Sequence, residues 1–471
     1  MNTNRLIFPG FWFDKTPQEE ALALARAGVG GFCFYGGNKQ RVCELAKKLR
    51  AASPLQRILI AADYEDGLGR WLDDSELLPS NLAIGAANNV KLAMEKGFIT
   101  ACQARELGVD WVFAPVLDLA DNSKNPIINT RAFGEDPKRV IPLAQAFMKG
   151  LAQGGVLNCL KHFPGHGNTT IDSHVALPMV LSGKKELVKA LQPFQALLKQ
   201  ADSVMMGHLL IPFLDEKHPA SLSSTIIHSL LQEKLGFHKC ICTDALLMKA
   251  LGNEKEAALA ALKAGAHILL VPEKPFELMD YLQKASISEP VLKHAEQIIN
   301  ALCAQADELT ATSRKYQGNV SQYISQVARK AIVATGDIPL LEAGETLHYL
   351  SVGNDENISD TPFLETLKAY GINIAPYQGE AVDNLAIVFW RRYQSFKGKI
   401  SLSAQELAAV NHAAEKAKNT VLICFSNPWT SQSIPAKSSI LTFSPAPAFQ
   451  QTAAECLLGR IRPTGTLPIT L

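Results

Sequence analysis

One segment of this chain concentrates ionisable side chains between glycines and prolines. It reads CLKHFPGHGNTTIDSHVALP, from Cys159 to Pro178. Asp172 and His174 are two positions apart, so in an extended stretch their side chains point to the same side. A carboxylate beside an imidazole fixes the tautomer of the ring and raises its basicity, which makes the histidine a capable proton shuttle. Such a pair can also do no more than tie down a loop, but Lys161, His162 and His166 in the same segment favour catalysis.

Single charged residues follow other apolar runs. Asp244, in ICTDALLM, ends one run and precedes a helical pattern, where an aspartate is either a helix cap or a reactive carboxylate. Asp63, in AADYEDGLGRW, either accepts sugar hydroxyls or pairs with Arg70. Arg131, in NPIINTRAFGEDP, either binds a substrate oxygen or pairs with an acidic neighbour, and the pattern alone favours the pairing.

The elements that must position these residues alternate along the first two thirds of the chain. Short apolar runs, typical of parallel strands buried on both faces, are separated by segments with the apolar spacing of helices. Eight such units with right-handed crossovers predict a (β/α)8 barrel, and the absence of a GxGxxG after the first run argues against an open doubly wound sheet. The predicted strands are Leu6–Phe8, Gly31–Phe34, Ile58–Ala61, Trp111–Ala114, Val156–Leu160, Ser203–Met206, Cys240–Thr243 and His267–Val271.

The barrel hypothesis gathers the charged residues at one mouth. In a barrel of this kind the chemistry takes place where the carboxyl ends of the strands meet. The residues that follow the strands in this chain are Asp63, Glu65, Arg70, Asp118, Arg131, Lys161, His162, His166, Asp172, His174, His208 and Asp244. The other strand ends carry no comparable concentration of polar groups, so this mouth is the predicted active site.

A second domain is predicted after a polar segment, TSRKYQGNVSQY. We expect a (β/α)8 barrel catalytic domain over residues 1–315 and a smaller α/β layered accessory domain over 316–471. Its loops hold few clustered titratable groups. The strands predicted there are Leu347–Val352, Ile372–Ala375, Leu385–Phe389, Val421–Phe425 and Ile440–Phe443.

Composition excludes several classes of protein. The 471 residues carry 46 Lys and Arg against 45 Asp and Glu, which argues against a nucleic-acid or membrane binder that works by bulk charge. No apolar stretch approaches the ~20 residues of a membrane helix, and the first residues lack the pattern of a signal peptide. The nine scattered cysteines are expected to be reduced core thiols of a cytoplasmic protein. The oligomeric state has no signature in the sequence.

A metal site is the alternative chemistry for the histidines. His162, His166, His174, His208 and Asp244 would suffice as ligands of a metal-dependent barrel hydrolase. No HxH follows the first strand and no HExxH occurs, so neither a metal nor another cofactor is expected. A Gly-rich phosphate motif after a strand is also absent, which argues against a nucleotide cofactor.

The motifs together resemble glycoside hydrolase family 3, in the branch of the bacterial β-N-acetylglucosaminidases. KHFPGHG…DSH is similar to the signature loop of that branch. NPIINTRAFGEDP, GVGGFCFYGGN, PASLSSTIIHSLLQEKLGF with CICTDALLMKAL, and the C-terminal LLGRIRPTGTLPITL resemble further segments of the two-domain form. The resemblance therefore covers most of the chain.

The resemblance implies a retaining exo-glycosidase. Asp244 stands at the position of the family's nucleophile, which forms a covalent glycosyl-enzyme. His174 stands at the position of the general acid/base of this branch, with Asp172 as its partner, where most retaining enzymes use two carboxylates. The substrate-binding residues implied in the same way are Asp63, Arg70, Arg131, Lys161 and His162. The implied substrate is terminal, non-reducing β-N-acetylglucosamine of muropeptides or chitooligosaccharides.

The chain departs from the family pattern after the third predicted strand. The family has Asp-Gln-Glu-Gly-Gly there, whereas this chain has Asp63-Tyr-Glu-Asp66-Gly, and the spacing to Arg70 is one residue short. His267 stands where an aspartate is frequent. The changed loop leaves open a non-catalytic sugar-binding barrel. A β-glucosidase or an N-acetylglucosaminide phosphorylase of the same family also stays open, because some relatives use phosphate as the acceptor.

Overall fold

The strands of the first two thirds are short and parallel, as the continuous apolar runs predict. The computed structural model describes residues 2–169, 177–180, 183–353, 359–391 and 402–471. Nine strands lie in this region of the described chain: β1 (Ile7–Phe8), β2 (Gly10–Trp12), β3 (Gly31–Tyr35), β4 (Leu59–Ala62), β5 (Trp111–Val112), β6 (Cys159–Phe163), β7 (Ser203–Met206), β8 (Cys240–Thr243) and β9 (Leu269–Leu270). Each predicted run overlaps at least one of them.

These strands form three parallel ladders rather than one continuous sheet. The ladders are β1–β9, β2–β3–β4–β5 and β6–β7–β8. Single parallel bridges join Trp111 of β5 to Leu157, two residues before β6, and Cys242 of β8 to Ile268, one residue before β9. A closed eight-stranded sheet is not among the ladders of the described residues. The architecture of this part is an α/β fold with parallel strands and intervening helices.

Helices separate the strands because their apolar residues recur at helical spacing and their ends are capped. The α-helices of the described chain are α1 (Gln18–Arg26), α2 (Lys39–Ala52), α3 (Asn81–Ala87), α4 (Val90–Glu106), α5 (Pro137–Gly154), α6 (Lys184–Leu197), α7 (Glu254–Ala264), α8 (Pro275–Lys284), α9 (Glu289–Thr312), α10 (Val320–Ala331), α11 (Thr361–Ala369), α12 (Ala404–Lys416) and α13 (Pro447–Leu457). Asn38 caps α2 and Asn253 caps α7 through side-chain oxygens. A π-helix covers Thr225–Lys234. None of the helices described is both long and apolar enough to cross a membrane.

The chain folds as two compact units. The first comprises residues 1–77, 90–125 and 140–317, and the second comprises residues 78–89, 126–139 and 318–471. The second unit contains a six-stranded sheet in the order β10-β15-β14-β13-β11-β12. Its strands are β10 (Val333–Thr335), β11 (Thr346–Val352), β12 (Asn373–Pro376), β13 (Val382–Phe389), β14 (Ala417–Cys424) and β15 (Ser438–Leu441).

Five of these six strands match the predicted ones to within a few residues. The strand missing from the prediction is β10, which pairs antiparallel with β15, whereas the other pairs are parallel. Trp390 stacks on Phe425 with ring centroids 4.4 Å apart in the core of this unit.

The cysteines are core residues, as predicted. All nine lie within the described residues and carry free thiols, and Cys43 alone among them is not buried. Burial raises the pKa of Cys240 and Cys242 well above the usual thiol value, so these thiols stay protonated. They contribute as small apolar side chains at the centre of the strands.

Candidate active site

Lys161 forms the charged centre of the candidate site. Its ammonium nitrogen lies 2.6 Å from Oδ1 of Asp63 and 2.6 Å from Oε1 of Glu65. Lys161 ends up there because it belongs to β6, while both carboxylates directly follow β4. The lysine is 1% exposed and Glu65 is fully buried. A buried cation between two carboxylates holds the loop after β4 in one conformation, and it brings together two of the predicted substrate-binding residues, Asp63 and Lys161.

A second buried centre lies at Asp118, which follows β5. Its carboxylate accepts the main-chain N–H groups of His162 and His166, and its Oδ2 lies 2.6 Å from Nδ1 of His162. Burial alone would raise the pKa of Asp118, but the charge of His162 and the hydrogen bonds of the two histidines lower it below its usual value. Because an ionised carboxylate only accepts hydrogen bonds, Nδ1 of His162 carries the proton and the ring orientation is fixed.

His166 is buried and neutral at physiological pH. Burial, and then the charge of His162, lower its pKa to about 4. Its Nδ1 is 2.9 Å from Oγ1 of Thr169, and its carbonyl oxygen accepts a hydrogen bond from the side chain of Asn125. His166 therefore shapes the loop after β6 and does not titrate between pH 5 and 8.

Asp244 and Asp63 both act on the same tyrosine, Tyr35. The pKa of the Tyr35 hydroxyl, raised well above its usual value by burial, is raised further by the charges of Asp63 and Asp244, and the hydroxyl is hydrogen-bonded to Asp63. The charge of Asp244 also acts on His166. The charge of Asp244 thus acts on Tyr35, at the end of β3, and on His166, in the loop after β6.

The backbone around Asp244 is held by the neighbouring strand end. Its main-chain N–H donates to the carbonyl oxygen of Met206 at 3.0 Å, and its Oδ1 accepts from the N–H of Ala245 at 2.8 Å. The fully buried His208, which follows β7, lies with Nε2 3.2 Å from the carbonyl oxygen of Ala245 and with Nδ1 2.8 Å from Oγ of Ser221. Since a carbonyl oxygen only accepts, Nε2 of His208 donates to it. His208 is thus a positioning residue beside Asp244.

A third ion-paired centre involves Arg70. Oδ2 of Asp66 lies 3.5 Å from the guanidinium of Arg70, and Oδ1 lies 2.9 Å from the ammonium of Lys96 on α4. Lys96 is 0% exposed. Burial lowers its pKa, and the nearby Asp66 carboxylate opposes that shift. Arg70 thus contacts Asp66 and not Asp63, the partner that the sequence suggests for it. Asp63 pairs with Lys161 instead.

Arg131 belongs to the second compact unit. It is buried, with its carbonyl oxygen accepting from Nδ2 of Asn81 at 2.7 Å and its guanidinium 3.4 Å from the carbonyl oxygen of Ile127. Glu135, an acidic residue four positions after Arg131, accepts hydrogen bonds from Thr470.

The two residues of the predicted acid/base pair, Asp172 and His174, lie outside the described residues. So does most of the loop in which they stand, from residue 170 to 176. Within the described residues no group of three or more histidine, cysteine or acidic side chains is arranged to hold a metal ion.

Sequence reasoning missed two members of the site. Tyr35 was not singled out, although its place at the end of β3 is a signal for a mouth residue. Lys96 was missed because it reads as an ordinary charged position on a helix. The one signal for Lys96 in the sequence is Asp66, because a buried carboxylate needs a cation nearby.

Comparison with known proteins identifies the family. The model of the "Glycosyl hydrolase family 3 N terminal domain" matches residues 3–302. The chain belongs to glycosyl hydrolase family 3. A β-hexosaminidase of Idiomarina loihiensis is 30% identical over 312 residues, covering 63% of this chain and 93% of that protein.

Solved structures of the family extend the similarity to the whole chain. A family 3 β-N-acetylglucosaminidase from Paenibacillus sp. str. FPU-7 has a TM-score of 0.87 and 26% identity, covering 100% of this chain and 98% of the other. The β-glucoside phosphorylase BglX has a TM-score of 0.87 at 22% identity, covering 100% and 93%, and shows the shared fold. The family membership predicted from the motifs is confirmed, and the chain is a glycosidase.

Proposed function

We propose that this family 3 glycosidase is a retaining, exo-acting β-N-acetylglucosaminidase. It removes terminal, non-reducing β-N-acetylglucosamine from muropeptides or chitooligosaccharides. The observation that carries the proposal is that Lys161, on β6, pairs with Asp63, directly after β4, and that the charge of Asp244, directly after β8, acts on Tyr35, the hydrogen-bond partner of Asp63. The amino-sugar specificity is supported by the β-hexosaminidase relatives and by the solved β-N-acetylglucosaminidase.

The first chemical step forms a covalent intermediate. A carboxylate oxygen of Asp244 attacks the anomeric carbon, and the bond from that carbon to the leaving oxygen breaks. The leaving oxygen takes a proton from the imidazolium of His174, whose orientation Asp172 fixes. The arrangement around Asp244 suits this role, because Ala245 N–H and Met206 hold the nucleophile at the strand end.

The second step reverses the roles of the two groups. Neutral His174 takes a proton from a water molecule, the water oxygen attacks the anomeric carbon, and the bond to Asp244 breaks. Two inversions give net retention. A histidine in place of a second carboxylate carries no negative charge in either protonation state, so it avoids repulsion with Asp244 while the intermediate forms and breaks.

Five residues are proposed to hold the sugar before and during these steps. Buried charged groups recognise hydroxyl and amide oxygens strongly because they have lost their water. Asp63 and Lys161 already form an ion pair, and the ring of His162 is held by Asp118. The proposed substrate-binding set is Asp63, Arg70, Arg131, Lys161 and His162.

We also propose that residues 1–315 form a closed (β/α)8 barrel with the catalytic function and that 316–471 form an accessory α/β domain. The pairing of Ile7 with Leu269 supports closure, since it joins the first and last strands of the barrel region. The accessory role is supported by the position of Asp63, Lys161 and Asp244, all in the first compact unit.

The decisive experiment is release of nitrophenol from the aryl β-N-acetylglucosaminide, beside the aryl β-glucoside, for the wild type and Asp244→Asn. We expect turnover of the N-acetyl sugar only, and a loss of at least about a thousandfold in the variant. Asp280→Asn, an exposed aspartate on α8, is the matched control and should leave turnover unchanged. Full activity of Asp244→Asn would refute the mechanism.

Two further arms separate the alternatives. His174→Ala should slow substrates with poor leaving groups far more than the nitrophenyl sugar, because only poor leaving groups need the proton. Inorganic phosphate as a co-substrate distinguishes hydrolysis from phosphorolysis, since a phosphorylase would release a sugar 1-phosphate. Equal turnover of both aryl sugars would point to a broader β-glucosidase, and turnover of neither to a sugar-binding protein.

A further inference from the structure

The loop after β4 carries an additional carboxylate beside a predicted substrate-binding arginine. Asp66 stands where the family pattern has glycine, four residues before Arg70. An ionised carboxylate next to a guanidinium normally captures it through two parallel hydrogen bonds. An arginine captured in this way has fewer donors left for a ligand. The loop therefore needs some device that keeps Arg70 available.

The structure provides such a device in Lys96. The ammonium of Lys96 lies 2.9 Å from Oδ1 of Asp66, and the guanidinium of Arg70 is 3.5 Å from Oδ2. The lysine thus occupies one carboxylate oxygen at short range and leaves Arg70 a single, long contact. Arg70 has five N–H donors, and the partner recorded for it within the described residues is Asp66.

Lys96 is fixed in this position by burial. Its side chain is fully enclosed, and the ammonium lies 5.8 Å from the ring centroid of Phe147, over the ring face. Lys96 comes from α4, so a helix outside the loop determines the position of Asp66. Arg70 keeps about a quarter of its side chain exposed. The ammonium of Lys96 is thus held in place by its surroundings, while the partly exposed Arg70 can still reach a ligand.

We propose that Lys96 is a positioning residue of this glycosidase, which acts through Asp66 to keep the guanidinium of Arg70 free for the sugar. This inference rests on the proposed function, because it gives the sugar-binding role of Arg70 a structural cause. It also gives a role to one departure of the loop from the family pattern, the additional Asp66. Lys96 itself touches no substrate.

The proposal predicts an effect on binding rather than on chemistry. In Lys96→Met, Asp66 has both oxygens available and captures Arg70. We expect KM for the aryl β-N-acetylglucosaminide to rise about tenfold, the effect of one lost hydrogen bond to a charged group, with kcat within about twofold. Lys91→Met, an exposed lysine on the same helix, is the matched control and should leave both constants unchanged.

A double-mutant cycle separates positioning from a general structural role. Arg70→Met should raise KM at least as much as Lys96→Met, and the double variant should be no worse than Arg70→Met alone, because Lys96 acts only through Arg70. Additive effects on KM, or an unchanged KM in Lys96→Met, would overturn the proposal. Loss of kcat with unchanged KM would do the same.

Two precautions keep the test decisive. Lys96→Met leaves Asp66 buried with less compensation, so the charge-neutral pair Lys96→Met with Asp66→Asn serves if the single variant does not fold. In that background the neutral amide at position 66 no longer captures Arg70, so KM should stay near the wild-type value and adding Arg70→Met should raise it. A raised KM in the charge-neutral pair itself would overturn the proposal. If the wild type has no glycosidase activity, the proposed function fails, and calorimetric binding of N-acetylglucosamine to the same variants still tests the role of Lys96.

Discussion

Nδ1 of His162 lies 2.6 Å from Oδ2 of Asp118, and both side chains are almost fully buried. The same carboxylate accepts the main-chain N–H groups of His162 and His166. One side chain after β5 therefore holds the start of the loop that follows β6. An ionised carboxylate suits this position, because all of its partners are donors.

Asp118→Asn should destabilise the protein. The amide group would place an N–H₂ against a donor, and the expected loss is about 3 kcal/mol of the free energy of unfolding at pH 7. The pKa of Asp118 is lowered on folding, so its contribution is present above the usual value of 3.8 and is lost as the pH falls below it. Urea unfolding at pH 7 and at pH 3.5 measures both effects, and the difference between variant and wild type should shrink at the lower pH.

Asp280→Asn is the control for that measurement and should match the wild type at both pH values. If Asp118→Asn has the same free energy of unfolding as the wild type at pH 7, other contacts hold the loop after β6.

His208 should influence the rate although it is not proposed to touch the sugar. Its Nε2 donates to the carbonyl of Ala245, next to the proposed nucleophile. His208→Ala removes this contact, and a displaced nucleophile should lower kcat about tenfold to a hundredfold with little change in KM. His208→Gln, which can present an amide N–H to the same carbonyl, should recover part of the rate. Steady-state kinetics on the aryl sugar measure the effect.

The exposed His228, paired with Glu233 on the surface, supplies the control His228→Ala. If kcat is the same in His208→Ala and the wild type, His208 does not help to position Asp244.

His267 should make stability depend on pH. Burial, and then the nearby charge of His294, lower its pKa to about 3. The unfolded chain therefore binds a proton that the folded chain does not, and stability falls as the pH drops from about 6.5 towards 3, by about 1.4 kcal/mol per pH unit. His267→Asn keeps an acceptor for the N–H of Ile241, which bonds to the histidine at 3.0 Å, and should remove this part of the slope.

Urea midpoints of wild type and His267→Asn between pH 6.5 and 4.5 test this expectation. His166, with its pKa of about 4, contributes a similar slope and should persist in the variant. Parallel pH curves for the two proteins would contradict the prediction.

Chelation should not affect turnover. The proposed mechanism uses Asp244, His174 and a water molecule, and no step requires a metal ion. Assays after dialysis against EDTA, with and without added zinc, should give the rate of the untreated protein. Inactivation that zinc reverses would instead favour the metal-dependent hydrolase considered from the sequence.

The sequence determines the strands better than the contacts among their ends. The apolar runs located β3, β7 and β8 closely, because strands buried on both faces need uninterrupted apolar residues. The three-residue β10 was missed, since so short a run has no period and its antiparallel pairing depends on β15, more than a hundred positions away.

The same limit applies to the site. Lys161 and Asp63 were recognised as residues at strand ends, but their ion pair depends on the spatial order of β4 and β6. Lys96 was not recognised at all, because a lysine on a helix is normally solvated and only the tertiary fold buries it against Asp66. The sequence predicts which residues lie at strand ends, but it does not predict which of them form ion pairs with each other.

The outermost strands of the six-stranded sheet have a consequence for behaviour at high concentration. An unpaired strand edge is a template on which another chain can add and start aggregation. Here one edge is β10, with three residues, and the other is β12, with four, the last of which is Pro376 and cannot donate a backbone hydrogen bond. Among the described residues both edge strands of this sheet are thus too short to recruit a second molecule, so we expect little self-association through β-strand addition when the protein is abundant.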